Sequence, residues 1–101
     1  MGTYDTFWNA DESIQIQCKA FNRGMDDFYP GSILPPHYPR NAVIHDTGCV
    51  KFHKNWRETR VSIFICEGKV TEVNVGHHAA RADMLVFDER GQNKLHTSAE
   101  K

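Results

Sequence analysis

Apolar and polar side chains alternate along much of this chain, and a period of two is typical of β-strands that bury one face. In residues 14–20 the apolar or small side chains fall on one face, and two Gln and one Lys fall on the other. Residues 9–12, Asn-Ala-Asp-Glu, have turn chemistry, so residues 4–8 can pair back as the first arm of a hairpin. The N-terminal part of the chain is therefore predicted to form strand, turn and strand.

The stretch NAVIHDTGCVKFH raises a question about local structure, because it contains Asp46-Thr47-Gly48 between two apolar segments. We interpret these three residues as a hairpin turn between residues 42–45 and residues 49–53, since Gly supplies the positive φ that such a turn needs. A second turn is predicted at residues 54–56.

The next segment has the pattern of a buried hairpin. Residues 60–67, RVSIFICE, are apolar on both faces in their middle, as expected of a central strand. A tight turn at residues 67–69 leads into residues 70–75, which alternate again. The two hairpins together predict a meander.

Residues 22–40 interrupt the alternation with a long loop. All four prolines of the chain lie in this segment, and they exclude a long regular element. The loop is nevertheless rich in large apolar side chains, so we expect it to pack over one end of the sheet. These side chains are Phe28, Tyr29, Ile33, Leu34 and Tyr38.

The C-terminal part of the chain adds short elements. Residues 77–83, HHAARAD, suit about two turns of helix, residues 84–87 are a short apolar run, and residues 95–96 are assigned to an edge strand. We predict one mainly β domain, residues 1–96, followed by a flexible tail, residues 97–101. Its fold class is a small antiparallel barrel or sandwich of six to eight short strands, with one long aromatic and proline-rich loop and at most one short helix.

Composition narrows the class of protein. With 40% hydrophobic and 25% charged residues, the 101-residue chain is globular. A net charge of −1 disfavours nucleic acid as a partner, and no apolar run reaches the ~18 residues of a membrane span. The N-terminus does not resemble a secretory signal, and the three cysteines are odd in number, which favours free thiols in a reducing cytoplasm.

Histidine and cysteine residues provide one candidate for chemistry. If His45 and Cys49 flank a turn, their Cβ atoms lie about 5 Å apart and could share a zinc ion. His53 lies about 13 Å further along the strand, so His77 and His78 are the better additional ligands. The chain has no Cys-x2-Cys pair, and a Cys49–His45 nucleophile pair lacks an orienting group and an oxyanion donor. We therefore expect no cofactor and no catalytic residues, with zinc as the alternative.

Aromatic and basic residues provide a second candidate. Trp56, Arg57 and Arg60 could stack on and pair with a nucleotide or single-stranded nucleic acid. Aromatic residues predicted to be exposed are typical of protein interfaces, and an unpaired edge strand would also allow a homodimer. The interface candidates are Phe28, Tyr29, Tyr38, Trp56 and Arg57.

The order of several motifs resembles a known set of proteins. MGTYDTFW is similar to the M-G-x-[YF]-D-T opening of small uncharacterised proteins from phages, prophages and bacteria. IQIQCKAFNRGMDDFYPGSIL and DTGCVKFH, followed by VSIFICEGKVTEV, continue the resemblance over about 70 residues. Some members of that set carry a Cys-Pro-x-Cys knuckle, which this chain lacks.

This resemblance implies a phage or prophage accessory protein that acts inside the bacterial cell. Together with the missing catalytic constellation, it predicts a non-enzymatic binder of a host protein, for example an inhibitor of a defence system. The alternatives are a zinc protein that uses His45, Cys49 and His77 or His78, and a nucleic-acid binder.

Overall fold

The protein is all-β in the computed structural model, which describes residues 4–19, 21, 24–78 and 84–92. Within these residues there are seven strands and no helix, so the predicted fold class is confirmed. The strands are β1 (Asp5–Trp8), β2 (Ile14–Cys18), β3 (Asp27–Phe28), β4 (Ala42–Phe52), β5 (Asn55–Cys66), β6 (Lys69–Val75) and β7 (Leu85–Phe87).

One strongly curled sheet forms a half-barrel in the strand order β3-β1-β2-β4-β5-β6, with β7 paired to β4 outside this path. Most neighbours are antiparallel, as the hairpin patterns predict, while the β1–β3 and β4–β7 pairs are parallel. The longest pairing joins β4 to β5, from Ala42 opposite Ile65 to Phe52 opposite Asn55. These two strands are therefore the structural centre of the sheet.

The proline-rich loop spans the open side of the half-barrel. The amide of Gly31 donates to the Val70 carbonyl at 2.6 Å, and the amide of Leu34 donates to the Gly68 carbonyl at 2.8 Å. Ile33 forms an isolated bridge with Lys69 of β6. The loop therefore packs on the sheet along β6 and the β5–β6 turn, and the expectation that it covers one end of the sheet stays a prediction.

The concave face of the sheet holds the main core. Alternate residues of β2, β4, β5 and β6 point inward, and the loop contributes Phe28, Leu34 and Tyr38 to the same cluster. A smaller cluster of Val43, Phe64 and Met84 lies on the opposite face of β4 and β5. The middle of β5 packs against both clusters. This explains why its sequence is continuously apolar.

The predicted turn at Asp46-Thr47-Gly48 is wrong, because β4 runs unbroken through these residues. Gly48 is needed for a close approach between strands: a Cβ atom there would lie 2.7 Å from Ile16 Cγ1 and 2.8 Å from the Gln15 carbonyl oxygen. The true turn is His53-Lys54, with His53 at φ 59°. The turn predicted at residues 54–56 overlaps the observed one only at Lys54, because Asn55 and Trp56 belong to β5.

Other predictions for the second half have mixed outcomes. The turn at Glu67-Gly68 is confirmed, and both residues have positive φ, as type I′ hairpins require. Residues 79–83 of the predicted helix, the predicted strand at residues 95–96 and the tail at residues 97–101 lie outside the described residues. In the part of the chain that is described, no helix is long and apolar enough to cross a membrane.

Candidate functional site

The hairpin that joins β4 to β5 projects from the half-barrel, and we call its residues 51–60 the arm. Side chains at positions 51–58 are all exposed. β2 pairs with β4 only as far as Val50, with one further hydrogen bond from the Lys51 amide to the Ser13 carbonyl. β6 reaches β5 only from Val61 onward. Apart from a hydrogen bond from the Gly76 amide to the Arg60 carbonyl, the arm is therefore a two-stranded ribbon with no third strand beside it in the described part of the chain.

Large aromatic side chains are exposed on this ribbon. Phe52 is 54% exposed and Trp56 is 44% exposed. The guanidinium of Arg57 lies over the Phe52 ring, 5.2 Å from its centroid, and the His53 ring meets the edge of Phe52. A stacked cation of this kind limits the motion of both side chains, so the arm presents a partly preorganised surface.

Charge on the arm differs in sign from the rest of the protein. Lys51, Lys54, Arg57 and Arg60 stand against one carboxylate, Glu58, for a net charge of +3, and the remaining residues sum to −4 because the whole chain is −1. None of the four cations is ion-paired with a carboxylate among the described residues. The arm can therefore offer its positive charge to a partner.

The predicted interface residues divide between the core and two surfaces. Phe28 and Tyr38 are only 6% and 5% exposed, so the expectation that they are surface residues is wrong. Both pack with Phe7 in an aromatic cluster of the core. Trp56 and Arg57 lie on the arm, whereas Tyr29 stacks on Trp8 at another surface.

The burial of Tyr38 has a polar cause that sequence periodicity does not reveal. Its hydroxyl donates to Asp5 Oδ2 at 2.6 Å, and Asp5 is itself fully buried. Asp5 Oδ1 also accepts hydrogen bonds from the amides of Gly24 and Asp26. One carboxylate thus ties both ends of the long loop to β1.

The residues predicted to hold a metal ion do not converge as expected. His45 and Cys49 do not face each other across a turn; they lie four residues apart on one strand, about 13 Å by strand geometry. Cys49 lines a polar cavity of about 220 Å³ with Gln15, Gln17, Lys19, Thr47, Gly48 and Glu58. In the described residues, no three His, Cys, Asp or Glu side chains are grouped in a way that could hold a metal ion.

Two of the candidate histidines do meet. The rings of His45 and His77 stack with centroids 4.4 Å apart and planes inclined by 7°. Nε2 of His45 lies 3.1 Å from the His78 carbonyl, Nε2 of His77 lies 3.2 Å from the Asp46 carbonyl, and Nε2 of His78 lies 2.7 Å from the Val75 carbonyl. Because carbonyl oxygens only accept, these three nitrogens carry protons and do not present lone pairs to a metal.

The middle of β4 holds a titratable group that sequence analysis missed. Asp46 is buried on the inner face, where Oδ1 accepts the Thr47 amide at 2.6 Å and Oδ2 has no hydrogen-bond partner among the described residues. Burial raises the pKa of Asp46 to about 6, Glu89 and Asp88 add to the rise, and the Thr47 amide and Cys18 act in the opposite direction. A strand of alternating polarity with Asp on its apolar face is the signal that could have revealed it.

Comparison with known proteins adds no family to this description. No protein-family model, no curated protein and no solved structure matches the chain. The functional argument therefore depends on the surfaces of the molecule itself.

Proposed function

We propose that this protein is a non-catalytic binding protein that acts by occupying a surface of another protein with its arm. The sequence resemblance to small phage, prophage and bacterial proteins suggests the setting, which is a phage-type accessory protein in the cytoplasm of a bacterial cell. Its partner is then a host protein, with a component of a defence system as our first candidate.

The observation that carries this proposal is the concentration, on one projecting ribbon, of exposed aromatic side chains and of basic side chains without an ion-pair partner among the residues that the structure describes. Trp and Arg are the residue types that most often dominate binding energy at protein interfaces. Trp56 and Arg57 are consecutive in β5 and lie on opposite faces of the ribbon, and Arg57 is held against Phe52. A partner that covers the arm would remove this apolar area from water, with a favourable free energy of roughly 25 cal/mol per Å² of apolar surface before other costs.

The charge of the arm specifies the chemistry of the partner. A surface of net charge +3 favours an acidic protein surface, ideally with an apolar recess for Trp56. Association should then become slower as salt concentration rises, because screening removes the long-range attraction.

Affinity capture from a host lysate, followed by direct binding with the purified candidate, tests this function. We compare the unmodified protein with Trp56→Ala and Arg57→Ala, and use Ile33→Ala as the matched control because Ile33 is exposed but distant in the fold from the arm. We expect the unmodified protein and the control to bind the same host protein, and each arm variant to lose at least about tenfold in affinity.

Recovery of chaperones alone, or a partner whose affinity is the same for all four proteins, would refute a role for the arm. Circular dichroism spectra of the variants establish that the sheet is intact, so that a loss of binding reports on the surface.

Nucleic acid is the second candidate partner, and the unpaired cations of the arm favour it. Strand alternation, however, puts Arg57 on the opposite face of the ribbon from Trp56 and Arg60, so the three residues do not form one stacking platform. A two-stranded ribbon can instead enter a major groove with both faces in contact. Fluorescence anisotropy with single-stranded and duplex DNA at low salt decides between these modes, and no binding to either removes the candidate.

A further inference from the structure

A second surface of the molecule has the opposite charge and also carries aromatic rings. Trp8 and Tyr29 stack with centroids 6.3 Å apart and planes inclined by 11°, and the indole Nε1 of Trp8 points at Asp27 Oδ1 at 3.5 Å. Desolvation, together with the neighbouring Glu12 and Asp27, raises the pKa of the Tyr29 hydroxyl. We call Trp8, Glu12, Asp27 and Tyr29 the acidic patch.

The acidic patch and the arm are complementary in two respects. The patch carries the carboxylates of Glu12 and Asp27, and the exposed Asp11 and Asp26 are their neighbours in sequence, while the arm carries four cations that have no carboxylate partner in the described part of the chain. Both surfaces also present aromatic rings, Trp8 and Tyr29 on one and Phe52 and Trp56 on the other. Aromatic pairs and opposite charges across an interface each favour association.

Within one copy, the arm meets the patch at its base, where the Lys51 amide donates to the carbonyl of Ser13, the residue after Glu12. Trp8 pairs with Gln15, Gln15 with Cys49 and Cys49 with Glu58, so one row crosses four strands. Three strand spacings hold Trp8 and Glu58 ~14 Å apart on a hydrogen-bonded backbone. The end of the arm extends further away, beyond the point where β2 stops. Among the described residues, no strand beside the outer part of the arm holds it against the patch of its own copy, so this part is available to the patch of a second copy.

We propose that two copies of this chain associate reciprocally, with the arm of each copy seated on the acidic patch of the other. Such an exchange is symmetric, because each copy gives its arm and receives the arm of its partner, and a twofold arrangement closes without further growth. Tyr29, Trp56 and Arg57 then belong to one interface, although they lie on separate surfaces of a single chain. This inference does not depend on the proposed host partner, which would compete with the second copy for the arm.

Sedimentation equilibrium of the full chain at low and high salt tests the association. We expect a dimer at low salt whose dissociation constant increases at least about tenfold at high salt, because screening weakens the charge pairs. A monomer at every concentration up to about 1 mM in low salt would overturn the proposal.

Charge reversal identifies the two surfaces. The arm variant is Lys54→Glu with Arg57→Glu, the patch variant is Glu12→Lys with Asp27→Lys, and Lys69→Glu is the control at an exposed position in neither surface. Each double variant alone should be monomeric, since its arm and its patch then have charges of the same sign. A mixture of the two should form a heterodimer, because both arm–patch contacts regain opposite charges.

Three outcomes contradict this arrangement. They are a dimer that persists in both double variants, a control that dissociates as they do, and a mixture that remains monomeric although both variants keep the circular dichroism spectrum of the unmodified protein. The first of these would place the dimer interface elsewhere, for example at an edge strand.

Discussion

Two buried aspartates of this sheet have different environments. Asp5 pairs across β1 and β2 with Cys18, and Asp46 of β4 also lies close to Cys18. Both carboxyl groups are on the inner face and almost wholly removed from solvent. Among the described residues, Asp5 accepts hydrogen bonds from at least two amides and the Tyr38 hydroxyl, whereas Asp46 accepts the Thr47 amide at Oδ1, lies beside the Cys18 thiol and has no partner at Oδ2.

The difference shows that donors near a buried carboxylate determine whether its charge stabilises the fold. A buried charge costs free energy unless hydrogen bonds replace the water that it loses. Asp5 receives at least three donors from the described residues and in return holds the loop on β1. Asp46 lies between the part of β4 that pairs with β7 and the part that pairs with β2. We expect Asp5 to stabilise the protein and Asp46 to destabilise it at neutral pH.

The largest expected effect is for Asp5→Ala. The substitution leaves at least three donors of the described residues without their acceptor, and we expect the free energy of unfolding to fall by about 3 kcal/mol or more. Urea denaturation followed by tryptophan fluorescence measures the change, with Asp26→Ala as the control because the Asp26 side chain is exposed. Equal stability of the two variants would show that the loop does not depend on Asp5.

For Asp46→Asn we expect the free energy of unfolding to rise instead of fall. At pH 8 the carboxylate is charged without adequate partners, and its neutral isostere should raise the free energy of unfolding by about 2 kcal/mol after allowance for partial solvent screening. The amide oxygen of Asn can still accept from Thr47, so this hydrogen bond is kept. A decrease in stability at pH 8 would mean that Asp46 is charge-stabilised after all.

The pH dependence of the free energy of unfolding provides a further test of the contrast between Asp5 and Asp46. The pKa of Asp46 is about 6 in the folded protein and 3.8 as its ordinary value, so between these values the folded state binds more protons than the unfolded state. The contribution of this group to stability is therefore complete below pH 3.8 and is lost as pH rises through 6. The difference between Asp46→Asn and the unmodified protein should disappear near pH 4, and a constant difference across the range would contradict the assignment.

The smallest effect is expected for Tyr38→Phe. This change removes the hydroxyl from Asp5 Oδ2 and preserves the ring contacts with Phe7 and Phe28. Because the two backbone donors to Asp5 remain, we expect a loss of about 1–2 kcal/mol in the free energy of unfolding. A loss as large as that of Asp5→Ala would assign the whole effect to the hydroxyl.

Sequence patterning predicts the strands well where one face meets the core, as in residues 14–18 and 69–75. It fails at Gly48, because the sequence alone cannot distinguish a glycine required by the close approach of two strands from a glycine required by a turn. It also fails to predict that residues 55–59 are in a strand, since a ribbon with two exposed faces has no apolar alternation.

The candidate site is only partly predictable for a similar reason. Trp56 and Arg57 are predicted surface residues and are exposed, although their interface role stays a prediction. Phe28 and Tyr38 belong to the core because the loop is anchored at Asp5, which is 33 residues before Tyr38 in the chain. Local composition cannot show an anchor so distant in sequence.

The continuous β4–β5 pairing also bears on how the chain reaches its native state. Its eleven residue pairs close around a two-residue turn, and β6 joins β5 through another short turn, so these contacts form at low sequence separation. Contacts of β1 with β3 and of the loop with β6 need much longer closures. We expect the hairpin pair to nucleate the folding reaction and the N-terminal strands to dock late, so substitutions at Asp5 should accelerate unfolding far more than they slow refolding.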